Sequence, residues 1–455
     1  MILYLVLAAG VSQWVPARWP SGDPKSLGLL TGTPINCLLI ESRHGNSELP
    51  GEARRHGITT LAVVRPESDP LAQARQAAEW KFSGAVLEGE FEAGLAGRLR
   101  STLADAGMAV IELADRHGVR LDSRDPVVGT RQGLWPGIEI EHGGSVATGP
   151  TSTPWINTNS GFLRFLVANS SASEVWIGVS PPPRAVFPGE RYAQAIGDAA
   201  LAGARWIVDL DRDLWRRLLE GEPRARESWR TIARHLAFPQ EHPEWAAYRP
   251  HSLFAMIQDA GSGGLLSGGL LDLLSAQRTP VRVVPASAVS AERLRGARLL
   301  LTIDADSMSP ARQKTTEEFR RAGGVVLHPP PGFHFPDSPP GQVLPTRQQW
   351  TQMQKIWETA YHSVARKNFG VRLFNTAGTQ FNLLATPDGG SLLVELVNYT
   401  DFAAESITVQ ALGAWKRARL YQPGRPVEEL PLYPVSDGTG VDIRRMAVRA
   451  TLRLD

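Results

Sequence analysis

From Pro34 onward the chain alternates short, continuously apolar runs with stretches of helical periodicity. Ile35–Ile40 (INCLLI), Ile58–Val64 (ITTLAVV), Gly84–Leu87, Met108–Leu113 (MAVIEL), Val127–Gly129, Val175–Val179 (VWIGV) and Trp206–Leu210 (WIVDL) predict strands. Glu52–Gly57, Pro70–Lys81, Ala93–Ala106 and Tyr192–Ala202 predict helices between them, the second rich in Ala, Gln and Glu. Strands of continuous apolar character spaced by helices imply a parallel sheet covered on both faces. Seven or eight such units over roughly 235 residues fit a (β/α)8 barrel. Residues 130–170 break the rhythm. They are rich in Gly, Pro, Asn and Thr and read as a long loop on one face. Leu214–Leu236 reads as one strongly helical region.

Pro239, Pro243 and Pro250 then mark a boundary. A second βαβ rhythm follows, with strands expected at 252–258, 281–285, 298–303 and 324–327. Ser309 and Pro310 open a helix there as N-cap and first residue. This predicts a small open α/β domain. Residues 329–346 are proline-rich and read as a linker, followed by a helix over 348–366. From Phe369 the helical signal fades and alternating runs separated by turns, such as Pro387-Asp388-Gly389-Gly390, predict an antiparallel β-sandwich. The expected architecture is therefore multidomain α/β. A TIM-like barrel spans 14–250, an open α/β domain 251–335, a linker and helix 336–368, and a sandwich 369–455.

Met1–Val11 (MILYLVLAAGV) has the length of a signal-peptide apolar core and falls well short of the ~20 residues that span a bilayer. Small residues follow, with Gly10 and Ser12 placed for a cut. The run predicts a signal peptide over 1–12 and a periplasmic or secreted protein; the alternative is a first buried strand. No other segment is apolar enough to predict a transmembrane span.

Composition narrows the chemistry. The net charge is +2, too small to draw the chain to nucleic acid. Only six of its 48 basic residues are lysines. The single cysteine, Cys37, excludes an intrachain disulfide and any all-cysteine zinc or iron–sulfur site. There is no phosphate loop, no GxSxG elbow and no HExxH helix. Gly261, Gly263 and Gly264 fall short of a dinucleotide fingerprint because Leu266 stands where its third glycine belongs. Asp209-Leu-Asp211-Arg-Asp213 mimics a calcium loop, but Leu214 occupies the position that needs glycine. Asp211 or Asp213 instead caps the next helix. No metal and no cofactor is expected.

What remains is a set of carboxylates at strand ends: Glu41, Glu88, Glu90, Glu112 or Asp115, and Asp209. Barrels place functional groups at those ends. Glycosidic cleavage needs two carboxyl groups roughly 5–10 Å apart. Glu88 or Glu90 is the first member of the expected pair, and Glu41 or Asp209 the second. The competing use of such acids is to cap helices or pair with arginines. Trp135, Trp155, Asn157 and Asn159 suit sugar recognition, since an indole stacks on a pyranose face and amides pair with hydroxyls. Arg65 and Arg131 complete the expected binding set. In the bland alternative Trp155 closes the barrel end and the asparagines make turns.

The order barrel, small α/β domain, β-sandwich resembles glycoside hydrolase family 42 and related uncharacterised bacterial glycosidase-like proteins. Trp19–Glu41, Trp155–Asn159 and Ala204–Asp211 (ARWIVDLD) are similar to segments of that uncharacterised group. The resemblance implies a middle domain like glutamine amidotransferases, without their activity, that helps the chain oligomerise. The amidotransferase nucleophile has no counterpart here, because Cys37 lies in the barrel. The resemblance also implies an acid/base residue in an Asn-Glu pair, and this sequence contains no Asn-Glu dipeptide. The expectation is a secreted, glycoside-hydrolase-like protein acting on a carbohydrate. The alternative is a non-catalytic carbohydrate-binding or oligomeric scaffold protein on a degenerate barrel.

Overall fold

The computed structural model describes residues 10–455 apart from 124, 141–145, 149–155, 173, 259–269, 276, 303–307, 330–342, 344, 345, 364–368 and 377. Residues 1–9 of the expected signal peptide, Trp155, the glycines at 261–264 and most of the proline-rich linker lie outside these. The chain divides into two compact units, one drawn from 1–134, 142–145 and 170–240, the other from 135–141, 146–169 and 241–455.

The first unit is a nearly closed barrel. Its strands are β1 (Pro16–Arg18), β2 (Cys37–Glu41), β3 (Thr59–Val64), β4 (Gly84–Glu88), β5 (Ala109–Ala114) and β6 (Val127–Thr130). After the short antiparallel pair β7 (Ile138–Ile140) and β8 (Val146–Thr148) come β9 (Glu174–Ile177) and β10 (Arg205–Trp206). The eight barrel strands pair in parallel in the order β1-β2-β3-β4-β5-β6-β9-β10. The seam is drawn together just past β10, where Arg18 N–H donates to Val208 O at 2.7 Å and Val208 N–H to Pro16 O at 3.1 Å. Strand β1 went unread in the sequence because three residues carry no period.

Inside, every second residue of each strand points to the axis. Cys37, Leu39, Leu61, Val63, Val86, Ile111, Leu113, Val127, Trp176 and Ile207 form one buried apolar cluster with Val11 and Trp14. Gly129 sits in this parity because a Cβ there would come within 2.5 Å of the Leu113 side chain. Burial pushes the Cys37 thiol pKa up, so it is an inert packing group. The helices Pro70–Glu79 and Arg212–Leu219 are capped by Asp69 and Asp211, whose carboxylates accept from Ala72 N–H (3.0 Å) and Leu214 N–H (2.9 Å). The region expected as one helix over 214–236 is two, Arg212–Leu219 and Pro223–Ala237. Gly221 breaks it with φ +76°, and Pro223 restarts it at the first turn.

The second unit holds an open parallel sheet and an antiparallel sandwich. Strands β11 (Arg249–Pro250), β12 (Phe254–Gln258), β13 (Arg282–Pro285), β14 (Leu299–Thr302) and β15 (Val325–Leu327) come first. The last four form the open sheet, ordered β13-β12-β14-β15. Alternate residues feed opposite faces: Phe254, Met256, Leu299 and Leu301 on one, Ala255, Ile257 and Leu300 on the other. Helix Arg347–Ser363 covers the first face through Met353, Ile356 and Ala360.

The sandwich follows as β16 (Val371–Phe374), β17 (Thr379–Ala385), β18 (Leu392–Asn398), β19 (Ala404–Leu412), β20 (Ala418–Tyr421), β21 (Glu428–Leu430), β22 (Leu432–Val435), β23 (Gly438–Met446) and β24 (Arg449–Leu454). One sheet is β11-β17-β18-β24-β20-β21, the other β16-β19-β23-β22, and both contribute to one apolar core. The stretch 130–170 is more than the loop expected of it. Helix Ser160–Asn169 belongs to the second unit, and Asp272 accepts from Gly161 N–H at 2.6 Å and Thr158 Oγ1–H at 2.9 Å. Its first seven residues are all buried, so it has no polar face to give a helical period.

Candidate active site

The apolar inner layers of the barrel end at a charged one. Continuing the inward parity past Leu39, Val63, Val86, Leu113, Gly129 and Ile207 gives Glu41, Arg65, Glu88, Asp115, Arg131 and Asp209. Arg18 ends β1 at the same level. Strand register therefore carries this layer to the C-terminal mouth, where TIM-barrel chemistry resides.

Arg18 is its hub. Its Nη2 lies 2.7 Å from Glu88 Oε2 and its Nε 3.5 Å from Asp209 Oδ2. The Arg18, Glu88 and Asp209 side chains are 10%, 5% and 16% exposed. Arg65 joins two acids, with Nη2 at 2.9 Å from Glu41 Oε1 and 3.2 Å from Glu88 Oε1. Arg43 Nε holds the other Glu41 oxygen at 2.6 Å. Arg131 Nε donates to Asp115 Oδ1 at 2.7 Å. Among the described residues, the buried Arg18 Nη1 and Arg65 Nε have no hydrogen-bond partner, and Arg18 Nε faces Asp209 beyond hydrogen-bond geometry.

The charges couple. Burial works against the Arg18 cation, yet Glu88, Asp209 and Glu41 outweigh it and raise its pKa. Burial raises the Asp209 pKa; Arg18 and a hydrogen bond from Ser180 oppose that, while Glu88 and Glu41 add to it. The mouth thus holds a carboxyl that retains its proton more readily than a free aspartate, beside a carboxylate held by two guanidiniums.

Of the residues expected from sequence, Glu41, Arg65, Glu88 and Asp209 meet in this network, and Arg131 lies close to it through Asp115 and the field of Glu88. Glu90 does not. It is exposed, and its Oε1 accepts the Asp115 N–H at 3.3 Å. Gly89, at φ +115°, turns the chain between Glu88 and Glu90. Glu112 binds Arg100 and Arg120, at 2.7 and 2.9 Å. Asp211 is spent on its helix cap and on the Tyr192 hydroxyl, 3.0 Å away. Trp135, Asn157 and Asn159 belong to the second unit. Trp135 and Asn159 are buried, and the Asn157 carbonyl accepts Gly137 N–H at 3.0 Å. Sequence reasoning missed Arg18 and Ser180. Arg18 had a signal in retrospect, a lone charge inside the apolar run Trp14–Trp19.

Among the described residues no group of three or more His, Cys, Asp and Glu side chains is arranged to hold a metal ion, and no helix is long and apolar enough to cross a membrane.

No protein-family model and no curated protein matches the sequence. Solved structures do match the fold. Alpha-L-fucosidase isoenzyme 2 from Paenibacillus thiaminolyticus aligns over 97% of this chain and 99% of its own, with TM-score 0.60 and 10% identity. A rhamnosidase from Novosphingobium sp. PP1Y aligns over 79% of this chain and 38% of its own, with TM-score 0.43 and 14% identity. The chain therefore has a glycoside-hydrolase-like fold: a parallel eight-stranded barrel followed by antiparallel sheets.

Proposed function

We propose that this protein is a secreted glycoside hydrolase whose carboxyl pair is Glu88 and Asp209. The observation that carries the reading is two carboxyl groups on one buried guanidinium at the barrel mouth. A guanidinium between them sets a separation of the order glycosidic cleavage uses, about 5–10 Å. Asp209, its pKa raised by burial, is the acid that protonates the departing glycosidic oxygen. Glu88, paired with Arg18 and Arg65, faces the anomeric carbon directly or through a water. Arg18 Nη1 and Arg65 Nε donate to sugar hydroxyls, which removes the cost of about 1–3 kcal/mol that each buried orphan donor carries. Glu41 and Arg131 shape the rim. A likeness to a fucosidase fold makes aryl fucosides the first substrates to try.

Hydrolysis of an aryl-glycoside panel by Glu88→Gln, Asp209→Asn, Glu41→Gln and the parent chain tests this. Unchanged rates in the first two variants sink the assignment. One observation favours a second reading, a barrel that binds a glycan without cleaving it: Glu88 has an arginine on each oxygen, which weakens it as base or nucleophile. Binding by calorimetry with no turnover in the parent chain selects that reading. Oligomerisation through the open α/β sheet is part of the proposal and is read by sedimentation.

A further inference from the structure

The C-terminal sandwich carries a cleft of about 510 Å³ on its second sheet, walled by Trp415 and Tyr433. Both rings are fixed by their polar atoms. Trp415 Nε1–H donates to Leu412 O at 3.1 Å, and its backbone N–H to Thr439 Oγ1 at 3.1 Å. The Tyr433 hydroxyl donates to Asp442 Oδ1 at 3.0 Å. Its ring lies against Gly440, where a Cβ would come within 2.3 Å of it, so only glycine leaves room for the ring in this position. Asp437, exposed, stands on the rim.

We propose that this cleft is a carbohydrate-binding site, separate from the barrel chemistry, that stacks a pyranose ring between Trp415 and Tyr433. The volume lies in the range of small-molecule sites, roughly 300–1,000 Å³, and suits one or two sugar rings. Two rings whose polar atoms are already satisfied offer only their faces, and a pyranose presents a matching apolar C–H face. Because both rings are anchored, little side-chain entropy is lost on binding. Asp437 accepts from sugar hydroxyls and repels phosphate, which disfavours nucleic acid. Strand addition is disfavoured too. Strand β22 is the sheet edge, but Pro434 in its middle has no N–H to offer.

The test is native electrophoresis of the full chain through gels containing xyloglucan, arabinoxylan, galactomannan or polygalacturonate. The expected result is retardation in at least one gel. Trp415→Ala and Tyr433→Ala should weaken it at least tenfold while leaving aryl-glycoside hydrolysis unchanged. Trp415 also packs on the sandwich core, so Asp437→Ala, at an exposed position, supplies a variant that keeps the fold and should weaken binding several-fold. Retardation in none of the gels overturns the proposal. So does retardation that persists in folded Trp415→Ala and Asp437→Ala, or that only Glu88→Gln and Asp209→Asn remove. The last result places the glycan in the barrel alone and leaves the barrel reading standing. Conversely, retardation without hydrolysis sinks the enzyme reading and leaves the sandwich site intact.

Discussion

Glu88 in the barrel and Glu395 in the sandwich are both buried carboxylates on buried arginines, and they differ in what surrounds the pair. Arg449 Nη2 meets Glu395 Oε1 at 3.2 Å, with side chains 2% and 8% exposed. The two lie on neighbouring rows of adjacent strands, Glu395 opposite Thr451 and Val397 opposite Arg449, on the sheet face away from the apolar core. Around Arg449, burial wins over its partner and lowers the guanidinium pKa. Around Arg18, three carboxylates win over burial and raise it. A carboxylate opposed by guanidiniums and buried on a sheet face is a structural element. An excess of acids around one cation stores a proton that can be used. Arg18 has three acids around it because strand register brings seven chain segments to one rim, whereas the sandwich pair comes from two adjacent strands.

The largest effect that sharpens this comparison is on turnover. Asp209→Asn and Glu88→Gln should each lower kcat by about 10²–10⁴-fold, the usual worth of a positioned acid or base. The matching amide Glu395→Gln should leave kcat near the parent value. Steady-state kinetics on an aryl glycoside reads all three. Equal losses in the three variants would erase the distinction.

Stability reverses the order. Arg449→Met strands a buried carboxylate and should cost about 3–5 kcal/mol in chemical denaturation. Replacing both partners, Glu395→Leu with Arg449→Met, should recover most of that, because two apolar groups carry no desolvation debt. A double variant as unstable as the single one would show that the face needs its charges.

The two regions should also answer pH differently. Burial raises the Glu395 pKa, with Arg449 and Arg164 opposing it. A carboxyl raised on folding binds more protons folded than unfolded. Its stabilising contribution is present below the ordinary carboxylate range and fades as pH rises through the raised value. Stability of the parent chain should carry that decline, and Glu395→Gln should flatten it. Asp209 is raised as well, but there the readout is the rate. The alkaline limb of kcat/KM should follow loss of its proton. Arg18 holds that pKa down, so Arg18→Met should move the limb to higher pH even as the rate falls. A limb that stays in place would remove Asp209 as the acid.

Much of the barrel was legible because its strands are mostly apolar runs and its helices carry caps, such as Asp69-Pro70. The mouth was legible as strand-end acids, and parity alone sorts Glu41, Glu88 and Asp209 to the axis. Three things were not. A three-residue β1 has no period, so Arg18 was missed. Helix Ser160–Asn169 is buried over its first seven residues, so it shows no amphipathic stripe. Which arginine meets which acid depends on register between strands far apart in sequence. The expectation of sugar contacts at Trp135, Asn157 and Asn159 rests on residue type. Trp135 and Asn159 turn out to be buried, which side-chain type does not reveal.

The smallest effect is at Glu90, two residues from Glu88 and of the same type. Straight strand geometry would point both to the axis. Gly89 prevents this: its φ of +115° is open to glycine and strained for other residues. A Cβ there would also press on Pro66 at 3.2 Å and Arg131 Nη1 at 3.4 Å. Glu90 therefore leaves the axis and serves the Asp115 backbone. Glu90→Gln keeps that acceptor, so kcat and stability should stay within about two-fold and 0.5 kcal/mol of the parent chain. Gly89→Ala is the informative partner, since it disturbs the turn that separates the two glutamates. It should lower kcat more than Glu90→Gln does, by displacing Glu88 and Arg131. If instead Glu90→Gln abolishes turnover, the carboxyl pair has been drawn on the wrong side of Gly89.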